Sequence, residues 1–523
     1  MKLPVRTTEW VREHLKANRE ITLVDLREEG VFAEAHPLFA ASLPLSTLEL
    51  EILDRIPRKD VPVVLYDDGE GLVARAATML GALGYTDVSA LDGGLDGWRA
   101  AGGEIFRDVN TPSKAFGELV ESVRHTPFLS AQEVKALINA QADVVILDAR
   151  RYDEYQTMNI PGSVSVPGGE LVYRVGALAP RATTTVIVNC AGRTRSLIGT
   201  QSLVNAGVAN RVFALRNGTI GWTLAGQDLE HGANRRASEP PRDPATASRA
   251  RALADRAGVK RIALNELPTL LYDQARTTYR FDVRTPEEYA AGHLAGFRSA
   301  PGGQLVQETD AFAPVRGARV VLSDDTGVRA DMTASWLAQM NWEVFVLDDD
   351  VAASATETGS WKPRRPPLPQ VKTLTPAELD GLLRGGHATL FDLSPSAAFA
   401  KAHIPGAWFA IRAQLRDALE AAPRGAIAVL TSADGALTRY AAGDLAEEGL
   451  AFQVLDGGNA AWIAAGLAVE SGIARAASAP TDRYRRPYEG TDNPVAAMQA
   501  YLDWEFGLVE QLGRDGTHGF RVL

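Results

Sequence analysis

The 523-residue sequence predicts an α/β fold of four tandem domains, each a parallel sheet flanked by helices, followed by a C-terminal helical tail. Three observations carry this prediction. At roughly 150 residues per domain, a chain of this length divides into three or four units rather than one core. Short apolar runs recur in a fixed register. Between them lie stretches of helical period, so strands alternate with crossovers, the pattern of a parallel sheet.

Each copy opens with an apolar run that ends on an acidic residue: LVDLR at Asp25, ILDAR at Asp148, RFDVR at Asp282 and LFDLS at Asp392, spaced by 123, 134 and 110 residues. A second run follows each, ending at Asp67, Cys190, Asp324 and Ser432, at offsets of 42, 42, 42 and 40. A third run reaches Asp92, Arg216, Asp348 and Asp456, after 25, 26, 24 and 24 residues. Six residues further on stand Trp98, Trp222 and Trp462, with Ser354 in the third copy. The runs are continuous rather than alternating, as expected of strands covered on both faces. Segments such as LSAQEVKALINA and RSLIGTQSLVNAG carry helical spacing. The helix after each second strand is expected to stop at Gly84, Gly207, Asn341 or Gly449, residues that tolerate a left-handed C′ position.

The expected domains are residues 1–110, 124–232, 258–358 and 370–475, with a helical extension over 476–523. Residues 231–250 and 359–370, rich in Pro, Arg and small residues, read as linkers. In the tail, VAAMQAYLDWEFGLVEQL has apolar residues at helical spacing and is expected to dock on one of the domains.

Composition narrows the function. A chain with 46% hydrophobic and 23% charged residues folds rather than staying disordered. A net charge of -11 is the wrong sign for a broad nucleic-acid interface. The first residues carry no apolar core of signal-peptide length, and no run is long enough to span a membrane, so no membrane partner and a cytoplasmic location are expected. The one cysteine, Cys190, allows no intramolecular disulfide and no thiolate cluster, and a reducing compartment fits it.

Ligands of open parallel sheets bind beyond the carboxyl ends of the strands. Cys190 falls there, between VIVN and a helix starting near Ser196. The segment Cys190-Ala191-Gly192-Arg193-Thr194-Arg195 is short and contains a glycine, so it can curl with its N–H groups inward at the positive end of that helix. Such a cradle holds an anion. With Arg193 and Arg195 adding charge, the thiol is expected below its ordinary pKa of about 8.5, as a nucleophile at neutral pH. The Asp148/Arg150 pair recurs as Asp25/Arg27 and Asp282/Arg284 in copies without cysteine, which marks it as fold-holding. His36, His293 and His403 lie 11 residues past the repeat aspartates where the cysteine copy has Asn159, so they too are structural, and Trp222 is expected in the core. No histidine pair has metal-ligand spacing, and no metal or cofactor is expected.

The loop CAGRTRS after VIVN, the early LDAR and the downstream NGTIGW resemble the rhodanese family of sulfurtransferases, and all four repeats look like rhodanese domains. The resemblance implies that Cys190 attacks the outer sulfur of thiosulfate or a persulfide donor, carries it as a persulfide and passes it to cyanide or a thiol. Residues 191–196 (Ala191, Gly192, Arg193, Thr194, Arg195, Ser196) would bind the small anionic donor. The expected partners are that donor and a thiol or protein acceptor. The other copies carry Asp67, Asp324 and Ser432, which cannot form a persulfide, so one active site per chain is expected. Arg329 matches Arg195 by spacing, while Leu72 and Leu437 stand at that place in the first and fourth copies. By resemblance, the silent first copy would pair with the active second. Two other readings remain open: a non-catalytic scaffold, and a cysteine phosphatase. The second is disfavoured because Cys190 to Arg195 is Cys-x4-Arg where a phosphatase needs Cys-x5-Arg.

Overall fold

The computed structural model describes residues 3–349, 351–421, 427–447 and 452–523. They contain four five-stranded sheets, parallel throughout, whose strands follow one order. In the second copy the strands are β1 (Phe128–Leu129), β2 (Val144–Asp148), β3 (Val164–Ser165), β4 (Thr185–Asn189) and β5 (Val212–Leu215), and the order is β1-β5-β4-β2-β3. β4 is central and all five of its residues are buried, which is why its sequence is continuously apolar before Asn189. It runs in register with β2 from Val144 beside Thr185 to Asp148 beside Asn189, so the two chemically marked residues end adjacent strands.

The copies share their local devices. Ser130, Thr285 and Thr375 each form a capping box with Glu133, Glu288 and Glu378. Gly84, Gly207 and Asn341 adopt the left-handed conformation that the punctuation predicts, at φ of 89°, 67° and 68°. Gly449, the fourth of this set, lies outside the described residues. Trp98, Trp222 and Trp462 are buried, and each indole donates to a backbone carbonyl six residues downstream.

Four helices outside the repeat matter for the site. α1 (Thr111–Arg124) joins the first two copies and is buried along most of its length. α2 (Thr194–Asn205) and α3 (Gly218–Leu224) belong to the second copy. α4 (Pro244–Ala257) occupies part of the stretch that composition marks as linker. Its buried face is Ala250, Leu253 and Ala254, a stripe too weakly apolar to stand out among its arginines, yet Asp243 caps it and Pro244 begins it. Residues 360–372 contain no helix or strand. The tail supplies α5 (Val495–Phe506) and α6 (Leu508–Asp515), both packed on α1.

The copies pair in a nested way. The second packs on the third: a methyl group at Gly169 would lie 2.7 Å from the Gly303 nitrogen, so only glycine permits this approach, and Arg329 bonds Glu170 at 3.1 Å across the contact. The first packs on the fourth through Arg412, bonded to Glu49 at 2.6 Å and to Asp444 at 2.7 Å. The expected pairing of first with second is corrected accordingly, and α1, threaded between those two, is the physical reason. The first and third copies also share one core, joined at a bridge between Ile21 and Arg316 and closed by Phe116 of α1 and Phe520 of the tail.

Candidate active site

β4 delivers Cys190 to the carboxyl edge of the second sheet. Beneath it, Asp148 accepts hydrogen bonds from the Arg150 backbone, from the Arg150 guanidinium at 2.9 and 2.7 Å, and from Asn189 at 3.0 Å, all buried. The same Asp/Arg unit is built at Asp25/Arg27 and Asp282/Arg284, beside loops with no sulfur, so it braces strand ends. In the fourth copy Ser394 and Asn459 serve Asp392 instead. His36, His293 and His403 stack on the aromatic ring four residues before them and bond backbone carbonyls. Asn159 bonds the Tyr155 carbonyl in the same way.

The loop after Cys190 is held by its carbonyls. Thr219 and Ile220, at the start of α3, donate their N–H groups to the carbonyls of Cys190 and Ala191 at 2.9 and 3.0 Å, and the Thr219 hydroxyl adds a third bond at 3.1 Å. Gly218 makes this possible: its φ is +57°, and a methyl group there would lie 2.4 Å from the Cys190 oxygen. With the carbonyls turned to α3, the first turn of α2 faces the sulfur. The Cys190 thiol donates to the Ser196 hydroxyl at 3.3 Å, which in turn donates to the Arg193 carbonyl at 2.9 Å.

The thiol is only 1% exposed, and this overturns the expectation of a lowered pKa. Burial pushes it up. The Arg195 charge and the Ser196 hydroxyl and N–H pull it down without winning, and Glu505 pushes it up further. Counting donors along the loop misses the desolvation that the rest of the chain imposes.

The two arginines also diverge. Arg195 bonds Glu154 at 2.6 Å, holds that carboxyl at about 2 and is the arginine whose charge reaches the sulfur. Arg193 turns to α1, where it bonds Glu118 at 2.7 Å and pairs with Glu121, while Asn217 accepts from it at 3.0 Å and Phe506 lies beneath its guanidinium at 4.3 Å. The expectation that Arg193 charges the thiol is corrected for that reason. Thr194 packs on Gly117 of α1, where a methyl group would lie 2.9 Å from its own.

Beside Ala191 and Arg195 opens a cleft of about 330 Å³ whose walls include Arg150, Arg151, Arg483 and Arg486. Tyr488 of the tail closes one side of it. Sequence reasoning misses the tail's part in the site. Tyr501 and Glu505 of α5 lie directly on Gly192: a methyl group there would lie 3.1 Å from the Tyr501 ring and 3.3 Å from a Glu505 oxygen. The one available signal was the glycine itself, together with the aromatic residues of the tail helix.

In the first and third copies a carboxylate fills the corresponding cradle. Asp67 accepts N–H bonds from Gly69, Leu72 and Val73 at 3.2, 2.6 and 3.3 Å. Asp324 accepts from Gly327, Arg329 and Ala330 at 2.8, 3.0 and 3.3 Å. Arg329 is taken up by Glu170, Glu288 and Asp325. The Ser432 hydroxyl is buried with no hydrogen-bond partner among the described residues.

Four parallel sheets of one strand order, one of them presenting a cysteine in an anion-cradle loop, define a tandem-repeat α/β protein with a single loop thiol. The rhodanese-like domain family matches residues 7–101, 130–225, 265–355 and 375–465, and the chain belongs to that family. A crystal structure of a thiosulfate sulfurtransferase from Pseudomonas aeruginosa is 60% identical, covers all of both chains and superposes with a TM-score of 0.98. A curated Mycobacterium tuberculosis protein named for thiosulfate sulfurtransferase, SseB, is 36% identical over 128 residues, 22% of this chain and 43% of its own length. An HTH-type transcriptional regulator of the same organism is 28% identical over 91 residues, 17% of this chain and 39% of its own. The match thus spans less than half the length of these curated relatives. No helix among the described residues is long and apolar enough to cross a membrane.

Proposed function

We propose that this protein is a single-site sulfurtransferase working through Cys190. The observation that carries the reading is the placement of the one thiol at a strand end, under the Arg195 charge, beside a cleft walled by arginines. A small anionic donor such as thiosulfate enters that cleft, where cationic side chains offset its charge. The Cys190 thiol gives up its proton to solvent, and the thiolate attacks the outer sulfur. The bond from that sulfur to the sulfite group breaks, sulfite leaves with the electron pair, and a Cys190 persulfide remains. A cyanide or thiol acceptor then takes the terminal sulfur and regenerates the thiolate, which predicts ping-pong kinetics. The Ser196 N–H and hydroxyl and the Arg195 charge stabilise negative charge on sulfur at each stage.

The domains over 1–110, 258–358 and 370–475 are proposed to be silent in this chemistry, since Asp67 and Asp324 already occupy their own cradles and Ser432 cannot carry sulfur. The phosphatase alternative keeps its short Cys-x4-Arg loop against it. The test is to incubate the full chain with thiosulfate and measure the intact mass. A gain of one sulfur atom on the Cys190 peptide, absent from Cys190→Ser, is expected. No such gain with thiosulfate or any persulfide donor, with function unaffected by Cys190→Ser, would leave the scaffold reading standing.

A further inference from the structure

The tail covers the sulfur loop with a buried carboxyl that the transfer chemistry above does not use. Glu505 is fully buried. One of its oxygens accepts the Tyr501 hydroxyl at 2.8 Å. The other has no hydrogen-bond partner among the described residues and lies against Gly192, two residues from the nucleophile. A carboxylate left half-bonded in a dry site is costly, whereas a protonated carboxyl is not.

Every charged or titratable group packed around it can be named. Lys114 and Glu118 face it from α1, Arg193 from the loop, Tyr501 from its own helix, and Cys190 from across Gly192. The cations are already committed. Lys114 is bonded to Asp108 at 2.6 Å, with Tyr488 also acting on it, and Arg193 is bonded to Glu118. Burial, reinforced by Glu118, pushes the Glu505 carboxyl up to about 8, so near neutral pH it holds its proton. Once ionised, it places a second negative charge beside a sulfur that must itself become negative.

We propose that Glu505 is a positioning residue for sulfur transfer: by packing on Gly192 it fixes the Cys190 loop, and its ionisation opposes negative charge on the sulfur. The inference rests on the sulfurtransferase reading for its purpose, but its physical content concerns the thiol alone. Because Cys190 is the only cysteine, its alkylation by iodoacetamide reports thiolate formation with or without sulfur transfer.

The experiment compares the full-length protein with Glu505→Gln and Glu505→Ala across pH 6 to 10. Glu505→Gln keeps the shape and the bond from Tyr501 but cannot ionise. It is expected to alkylate at the parent rate near pH 6 and about tenfold faster near pH 9, as a shift of one pKa unit would give. Its KM for thiosulfate is expected to stay flat where that of the parent rises above pH 8. Glu505→Ala removes the contact on Gly192 and is expected to alkylate faster at every pH, with kcat reduced. Superposable alkylation profiles for the parent and Glu505→Gln would overturn the proposal. So would a Glu505→Ala profile identical to that of the parent, with thermal melts confirming that both variants are folded. Absence of sulfur transfer in the parent alongside a shifted alkylation profile would sink the sulfurtransferase reading and leave this coupling intact.

Discussion

Arg193 and Arg195 stand two residues apart with the same charge, yet burial and partners assign them different work. Arg195 acts on the sulfur, so Arg195→Gln is expected to raise the thiol pKa and slow Cys190 alkylation at pH 7 by about tenfold, the effect of one pKa unit. Arg193→Gln instead leaves Glu118 buried without its cation, which is expected to cost about 3–5 kcal/mol in a denaturant melt. Glu154 offers a pH test with a definite sign. Its carboxyl, ordinarily 4.5, is held at about 2 by Arg195, so the pair stabilises the fold above pH 4.5 and loses that contribution as pH falls from 4.5 towards 2. Glu154→Gln is expected to melt with less pH dependence over that window than the parent. The sequence made the placement of Cys190 and Arg195 legible, since strand end, loop and helix start are neighbours in the chain. It hid the partners of Arg193, because Glu118 lies 75 residues away on a helix with no repeat signature.

At the scale of elements, the loop is clamped from two sides by close approaches at glycine. Gly218→Ala would drive a methyl group to 2.4 Å from the Cys190 oxygen at a left-handed φ, so it is expected to destabilise the second domain and disorder the loop. Gly192→Ala meets only a ring edge and a carboxyl oxygen at 3.1 and 3.3 Å, which can yield. Its expected cost is about 1–3 kcal/mol, the range for overpacking, with faster Cys190 alkylation as α5 lifts. The order Gly218→Ala more damaging than Gly192→Ala can be read from thermal melts. Strand ends and helix stops such as Gly207 and Asn341 were readable because each local signal agrees with its neighbours. The buried face of α4 was not, being mostly alanine, and neither was the burial of the thiol, which α5 imposes from the far end of the chain.

For the whole molecule, nesting the second copy on the third and the first on the fourth separates two interfaces. The fourth copy is held to the first by Arg412, with Glu49 and Asp444. Arg412→Met is expected to loosen that contact, which small-angle scattering would record as a larger radius of gyration and proteolysis as faster cutting within 360–372. Cys190 alkylation is expected to change little, because the sulfur loop is clamped by α3 and α5. Four copies were countable from residues alone, whereas which copies touch depends on α1 and on glycine pairs whose meaning appears only at contact. The carboxylates of Asp67 and Asp324 carry a last consequence. Those two modules own a permanent counter-charge for their helix starts, whereas the thiol module holds an uncharged group there until sulfur is loaded. Cargo therefore doubles as mortar: the sulfur-laden form would exchange its amide protons around Ser196 more slowly than the empty one, so that the resting enzyme is the looser of its two states.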